Sequence, residues 1–241
     1  MLCQLCQQEK KLMKAHIMPN SMNRVLRNVL GDDPNSPMLT IEKETGKTKP
    51  LPMGVYDKTI ICISCDGGFS PWEKHALEVL FTNHKWSDLR RNRAGKPVCY
   101  TLLNGEYATL KLFVLSMLWK ASASDLEYCK KVELAPDKME QLRKMLVSAN
   151  PGEPETFAVR IAQFYRMDVG MTFEPHEELI DGIRYVVMHV PGYKILVQVD
   201  DQKLPSDHGF VLTPDGPIRI GLIDFQTSGE RRAIEKMAAK L

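Results

Sequence analysis

Two short cysteine pairs constrain this chain more than any other feature. Cys3-Gln4-Leu5-Cys6 lies at the start and Cys62-Ile63-Ser64-Cys65 follows much later. Two thiolates three positions apart on a tight turn can grip one edge of a tetrahedron, and a second such turn completes it. Two C-x-x-C knuckles therefore predict one four-sulfur Zn²⁺ site, structural because no coordination position is left for water. Neutral thiols or disulfides are the alternative. The 55 positions from 7 to 61 exceed the usual spacing of roughly 15–20 between such pairs. They must form an insertion that carries something of its own.

The insertion carries Lys14-Ala15-His16-Ile17-Met18-Pro19, then Asp57 five residues before Cys62, and Asp66 directly follows Cys65. This arrangement resembles the HNH nucleases built on a treble-clef zinc core. In zinc-bearing members, a first C-x-x-C is followed by an Asp-His-Ile-x-Pro-like strand. An Asn then precedes the second C-x-x-C by five residues, and a His follows its last Cys. The resemblance places His16 at the general base, Asp57 at the Asn position and Asp66 at the final His position. Ala15 stands where many members have a metal ligand, so this is an H-D-D version of the motif. It covers about residues 1–80. The whole chain is similar to a bacterial or phage-type group that joins this knuckle to a helical and β-rich continuation, which implies a mobile-element or defence setting.

The resemblance implies metal-assisted hydrolysis of DNA or RNA phosphodiesters. His16 would take a proton from water, and Asp57 and Asp66 would hold Mg²⁺ or Mn²⁺. A competing function from another class is a catalytically inactive, zinc-stabilised module that binds nucleic acid or a protein. A third possibility makes the C-terminal sheet a docking surface for a protein partner.

With 241 residues and 44 % hydrophobic content, the chain has material for one large or two modest domains. Its formal net charge of +2 excludes a global field for nucleic acid, so such a surface must be local. His84–Pro97 is that local surface. Lys85, Arg90, Arg91, Arg93 and Lys96 face a lone Asp88, with Trp86 interleaved. Cations for phosphates and an aromatic for stacking fit nucleic-acid contact, and a solvated linker after the zinc module is the alternative. The N-terminal residues lack the basic-then-apolar pattern of a signal peptide, and no apolar run approaches the ~20 residues of a membrane span. The expectation is a cytoplasmic protein whose thiols stay reduced.

The expected fold class is α+β, with a treble-clef module over 1–84 and a second domain over 85–241. Helical spacing predicts a helix over 20–30, and Ser70-Pro71-Trp72-Glu73 predicts a capped helix start running to Phe81. His75 on that helix is a further candidate ligand, against a solvated histidine. Tyr107–Ala121 reads as a core helix and Pro136–Val147 as an amphipathic one. Pro154–Tyr165 is expected to be helical, closing a helical stretch over about 107–166. Met38–Ile41 can be a strand, with Glu44–Lys47 as a hairpin turn. The region of about 171–226 is expected to form a small antiparallel sheet with a hairpin at Pro191-Gly192, followed by a closing helix at about 229–240. Cys99 and Cys129 are expected to be ordinary thiols.

Overall fold

The computed structural model describes residues 1–30, 38–41, 48–51, 54–166, 172–204 and 210–239. The turn expected at Glu44–Lys47 and the residues around His208 lie outside them. The first elements are a strand β1 (Ala15–His16), helix α1 (Asn20–Leu30), strands β2 (Met38–Ile41), β3 (Thr48–Leu51) and β4 (Tyr56–Asp57), and helix α2 (Ile63–Leu77). A π-helical turn, Glu78–Thr82, extends α2. Strands β5 (Trp86–Arg91) and β6 (Pro97–Leu102) follow, then helices α3 (Tyr107–Ala123) and α4 (Pro136–Val147). The remainder is β7 (Val159–Tyr165), β8 (Thr172–Phe173), β9 (His176–Ile180), β10 (Ile183–Val190), β11 (Tyr193–Gln198), β12 (Ile218–Asp224) and helix α5 (Gly229–Ala238).

The fold is α+β, but its sheet is larger than the sequence suggests. Seven strands run in the order β5-β6-β12-β7-β11-β10-β9. Every pairing is antiparallel except β12 with β7. Helix α3 carries apolar residues all round, with Lys111, Ser116 and Lys120 among them, which suits a helix enclosed by protein rather than one facing water. It lies buried from Leu110 to Ala121. One sheet face, with Tyr100, Ile161, Val186, Ile195 and Ile220, joins it in a continuous core. That core also takes in Cys3, Leu5, Ile60 and Phe69 of the cysteine-bearing module. Tyr193 of β11 donates to the Leu80 carbonyl at 2.8 Å, tying the sheet to the end of α2. Burial thus runs across the 84/85 boundary drawn from the sequence.

Two expectations and one alternative need correction. Helix α2 starts at Ile63, not at Ser70, because the second knuckle is itself the first helical turn. Cys62 has extended N-cap geometry, and its carbonyl accepts from Asp66 N at 3.0 Å. Pro71 is therefore inside the helix, where it removes one backbone donor. The 154–165 stretch is not helical. Val159–Tyr165 is a central strand, with Val159, Ile161 and Phe164 buried and β11 and β12 on either side. The basic stretch is not a linker, since it forms the edge strand β5 and its turn into β6.

Candidate metal centre and cationic hairpin

The insertion folds out and returns, so that both knuckles meet. Leu12 bridges Cys62, Met13 N donates to the Ile61 carbonyl at 3.0 Å, and Gln4 N donates to the Ile60 carbonyl at 2.9 Å. The Sγ atoms of Cys3, Cys6, Cys62 and Cys65 all lie within 4.8 Å of one another, and no disulfide joins them. Bonds of about 2.3 Å to a tetrahedral ion set sulfur separations near about 3.8 Å, so a small contraction would close the site. The four thiols could hold a metal ion such as zinc. Cys62 N donates to Cys3 Sγ at 3.3 Å, an outer contact that favours the thiolate. Arg143 of α4 donates to the Leu5 carbonyl at 2.8 Å and braces the first knuckle.

The electrostatics of the cluster fit a cation. Burial opposes ionisation of Cys62, yet hydrogen bonds from Ser64, Cys65 and Cys3 bring its thiol down to about 6. Cys65 is pushed far upward, first by burial and then by the neighbouring sulfurs. Four crowded thiols cannot all ionise alone, whereas a divalent ion would reverse that repulsion.

The H-D-D residues do not form a second metal centre. Strand β1 pairs β4 with Ala15 opposite Asp57 and His16 opposite Tyr56. Opposed residues share a face and neighbours alternate, so His16 and Asp57 project to opposite sides of the ribbon. Asp57 faces inward and is buried. It accepts from Ser124 Oγ at 2.6 Å and from the Thr59 amide and hydroxyl, both at 2.7 Å. Burial raises its pKa, but these bonds outweigh it and hold the carboxyl below the usual range. Asp66 faces α3, where Lys120 Nζ lies 3.5 Å from it and 2.9 Å from Glu73. Lys120 is 1 % exposed and lies over the Phe69 ring. An ammonium thus occupies the space between the two carboxylates. Among the described residues, only the four cysteines bring together three or more metal-ligating side chains. The residues present do not fit a catalytic Mg²⁺ or Mn²⁺.

His16 stands instead beside Tyr56, with ring centroids 5.9 Å apart, and Lys14 and Lys58 lie over the Tyr56 ring. His75 is outside the metal-ligating cluster, and its Nε2 accepts from Glu106 N at 3.1 Å, at the start of α3. Cys99 and Cys129 are both buried.

The five cations of the basic segment sit on one hydrogen-bonded hairpin. Asn92 orders the turn, its side-chain oxygen accepting from Ala94 N and Lys96 N at 3.0 Å each. Gly95 takes φ of 75°, where a side chain would be strained. Arg91 closes the turn by donating to the Gly95 carbonyl at 2.8 Å. Lys85, Arg90, Arg91, Arg93 and Lys96 are all exposed, and among the described residues none has a carboxylate partner. Trp86, at the start of β5, is 52 % exposed. No helix among the described residues is long and apolar enough to cross a membrane.

Compared with protein-family models, with curated proteins and with solved structures, the chain matches none.

Proposed function

We propose that this chain is a zinc-stabilised nucleic-acid-binding protein. A four-thiolate, treble-clef-like module and the seven-stranded sheet together hold the β5–β6 hairpin against phosphates. The observation that carries this reading is the hairpin itself, with five exposed cations against one Asp88, no ion pair to any of the five among the described residues, and an exposed indole at its base. A two-stranded ribbon is of a size to enter a duplex major groove, and an exposed indole can stack on unpaired bases. Each phosphate neutralised releases counterions, so binding must weaken with salt.

Replacing Lys85, Arg93 and Lys96 by glutamine is expected to lower affinity for labelled oligonucleotides. It should also flatten the plot of log affinity against log salt by up to about 3 for duplex DNA. Fluorescence anisotropy across a salt series measures both. Trp86→Ala should cost roughly 1–3 kcal/mol on single strands. Binding that is indifferent to salt would defeat the proposal.

A second reading, an HNH-type nuclease, is favoured by one observation. The antiparallel ribbon bearing His16 is followed by the second knuckle and a helix bearing Asp66, the order that the resemblance implies. The buried Asp57 and the Asp66–Lys120 pair weigh against it. Plasmid and RNA incubated with Mg²⁺ or Mn²⁺ should stay intact. Cleavage abolished by His16→Ala would replace the binding reading with the hydrolytic one.

A further inference from the structure

The sheet face turned away from α3 carries Arg90 and Arg219, and among the described residues neither has a carboxylate partner. Register places Arg90 opposite Cys99 and Cys99 opposite Gly221, with Thr101 opposite Arg219. Cross-strand partners share a face, as do residues two apart on a strand. Arg90 and Arg219 therefore project from the same side and flank Cys99. The thiol registers both, since burial pushes Cys99 up while the two guanidinium charges oppose that shift. Between them lie Cys99 and Gly221, both buried. A methyl group added at Gly221 would come within 3.3 Å of the Ala162 side chain.

Arg219 is half-buried, its Nε is sealed from solvent without an acceptor, and no carboxylate pairs with it among the described residues. Arg160, on the same face, also has an Nε without an acceptor, but its guanidinium donates to the Tyr185 hydroxyl and lies 4.8 Å from that ring's centroid, contacts that Arg219 lacks among the described residues. A part-buried guanidinium without a counter-ion is costly, and an orphaned donor of this kind points to a ligand. The planar guanidinium fork matches phosphate oxygens better than any other side chain does.

We propose that Arg219 and Arg90 form a phosphate site at the β5–β6–β12 side of this sheet face and hold a backbone phosphate of the nucleic-acid strand bound by the hairpin. The proposal rests on the nucleic-acid-binding reading and extends it. The strand passes from the cationic turn by way of Arg90 to Arg219, so the contact surface reaches from β5 to β12.

The full-length protein and labelled oligonucleotides, single-stranded and duplex, supply the test. Arg219→Gln should weaken binding about five- to tenfold at low salt and reduce the salt slope by about 0.7 on single strands and about 0.9 on duplex. Arg219→Lys should keep the slope. In the wild-type protein, bound oligonucleotide should slow phenylglyoxal modification of Arg219, read by peptide mass, and this holds whether or not the variants fold. If the Lys85/Arg93/Lys96 variant loses binding while Arg219→Gln does not, or if modification of Arg219 is unprotected, the phosphate site falls and the hairpin reading stands. If the wild-type protein shows no salt-dependent binding, both fall.

Discussion

Cys62→Ser is expected to abolish zinc binding and unfold the N-terminal module, with the largest loss of stability of any single change considered. Metal analysis of reduced wild-type protein should find one zinc ion per chain, and the variant should retain none. The magnitude follows from what the ion replaces. The two knuckles are separated by a long insertion, and few backbone bonds join them, among them those from Gln4 and Met13 to the Ile60–Ile61 segment. Structural zinc supplies about 10–16 kcal/mol of apparent binding free energy in small peptides, which exceeds the typical stability of a whole domain, about 5–15 kcal/mol. Without the ion, four crowded thiols must stay partly protonated, and Cys3, buried with Leu5 and Ile60 in the common core, loses its anchor. Because that core continues into α3 and the sheet, the damage should spread. Thermal unfolding of the variant should start far below that of the wild type, and a chelator should reproduce the effect. A wild-type protein free of zinc, with all six thiols titratable and an unchanged melting curve, would refute the metal centre.

The cysteine pairs were legible in the sequence because their spacing is itself the chemistry. The limits of periodicity show elsewhere. Ser70-Pro71 has the composition of a helix start, but the helix was already nucleated seven residues earlier, at Ile63, where the knuckle supplies a turn that local propensity does not reveal. Gly67 and Gly68 favour a break, yet they sit within α2, carried through by the turn before them and the packing after. Val159–Tyr165 alternates buried and partly exposed residues only up to Ala162, so its strand character depends on β11 and β12, which come later in the chain. Edge strand β5 is polar throughout except for Trp86 and Leu89, and nothing local distinguishes it from a linker. The separation of the H-D-D residues was hidden for a related reason. The resemblance assigns His16 and Asp57 to one site, but only the register, Ala15 opposite Asp57, shows that they leave the ribbon on opposite sides. The basic residues were visible as a cluster. That they share a hydrogen-bonded hairpin, and that Arg219 joins them from more than a hundred residues away, needed the sheet.

Glu230→Gln is expected to cost roughly 3–5 kcal/mol at neutral pH, the range for removing one member of a buried ion pair. Glu230 opens the first turn of α5 and is 2 % exposed. Its carboxylate lies 3.3 Å from His189 Nε2 and 3.1 Å from Lys194 Nζ, on the sheet face that α5 covers. Lys194 also reaches Glu178 at 3.4 Å, and Glu178 reaches His176 at 3.2 Å. Burial works against the charge of Glu230, but the hydrogen bond from His189 and the charges of His189 and Lys194 prevail and hold its pKa far below the ordinary carboxylate range. The sign follows from linkage. A carboxyl with a folded-state pKa below its unfolded value binds fewer protons when folded, so its contribution is full above the unfolded value, about 4.3, and is lost as pH falls towards the folded one. Wild-type stability should therefore drop through the acid range below about pH 5, while the glutamine variant, already lacking this contribution, should follow a flatter curve. Urea unfolding at a series of pH values, with the helical signal as readout, measures the gap between the two proteins. Curves that stay parallel down to low pH would show that Glu230 does not carry the charge that fixes α5 to the sheet.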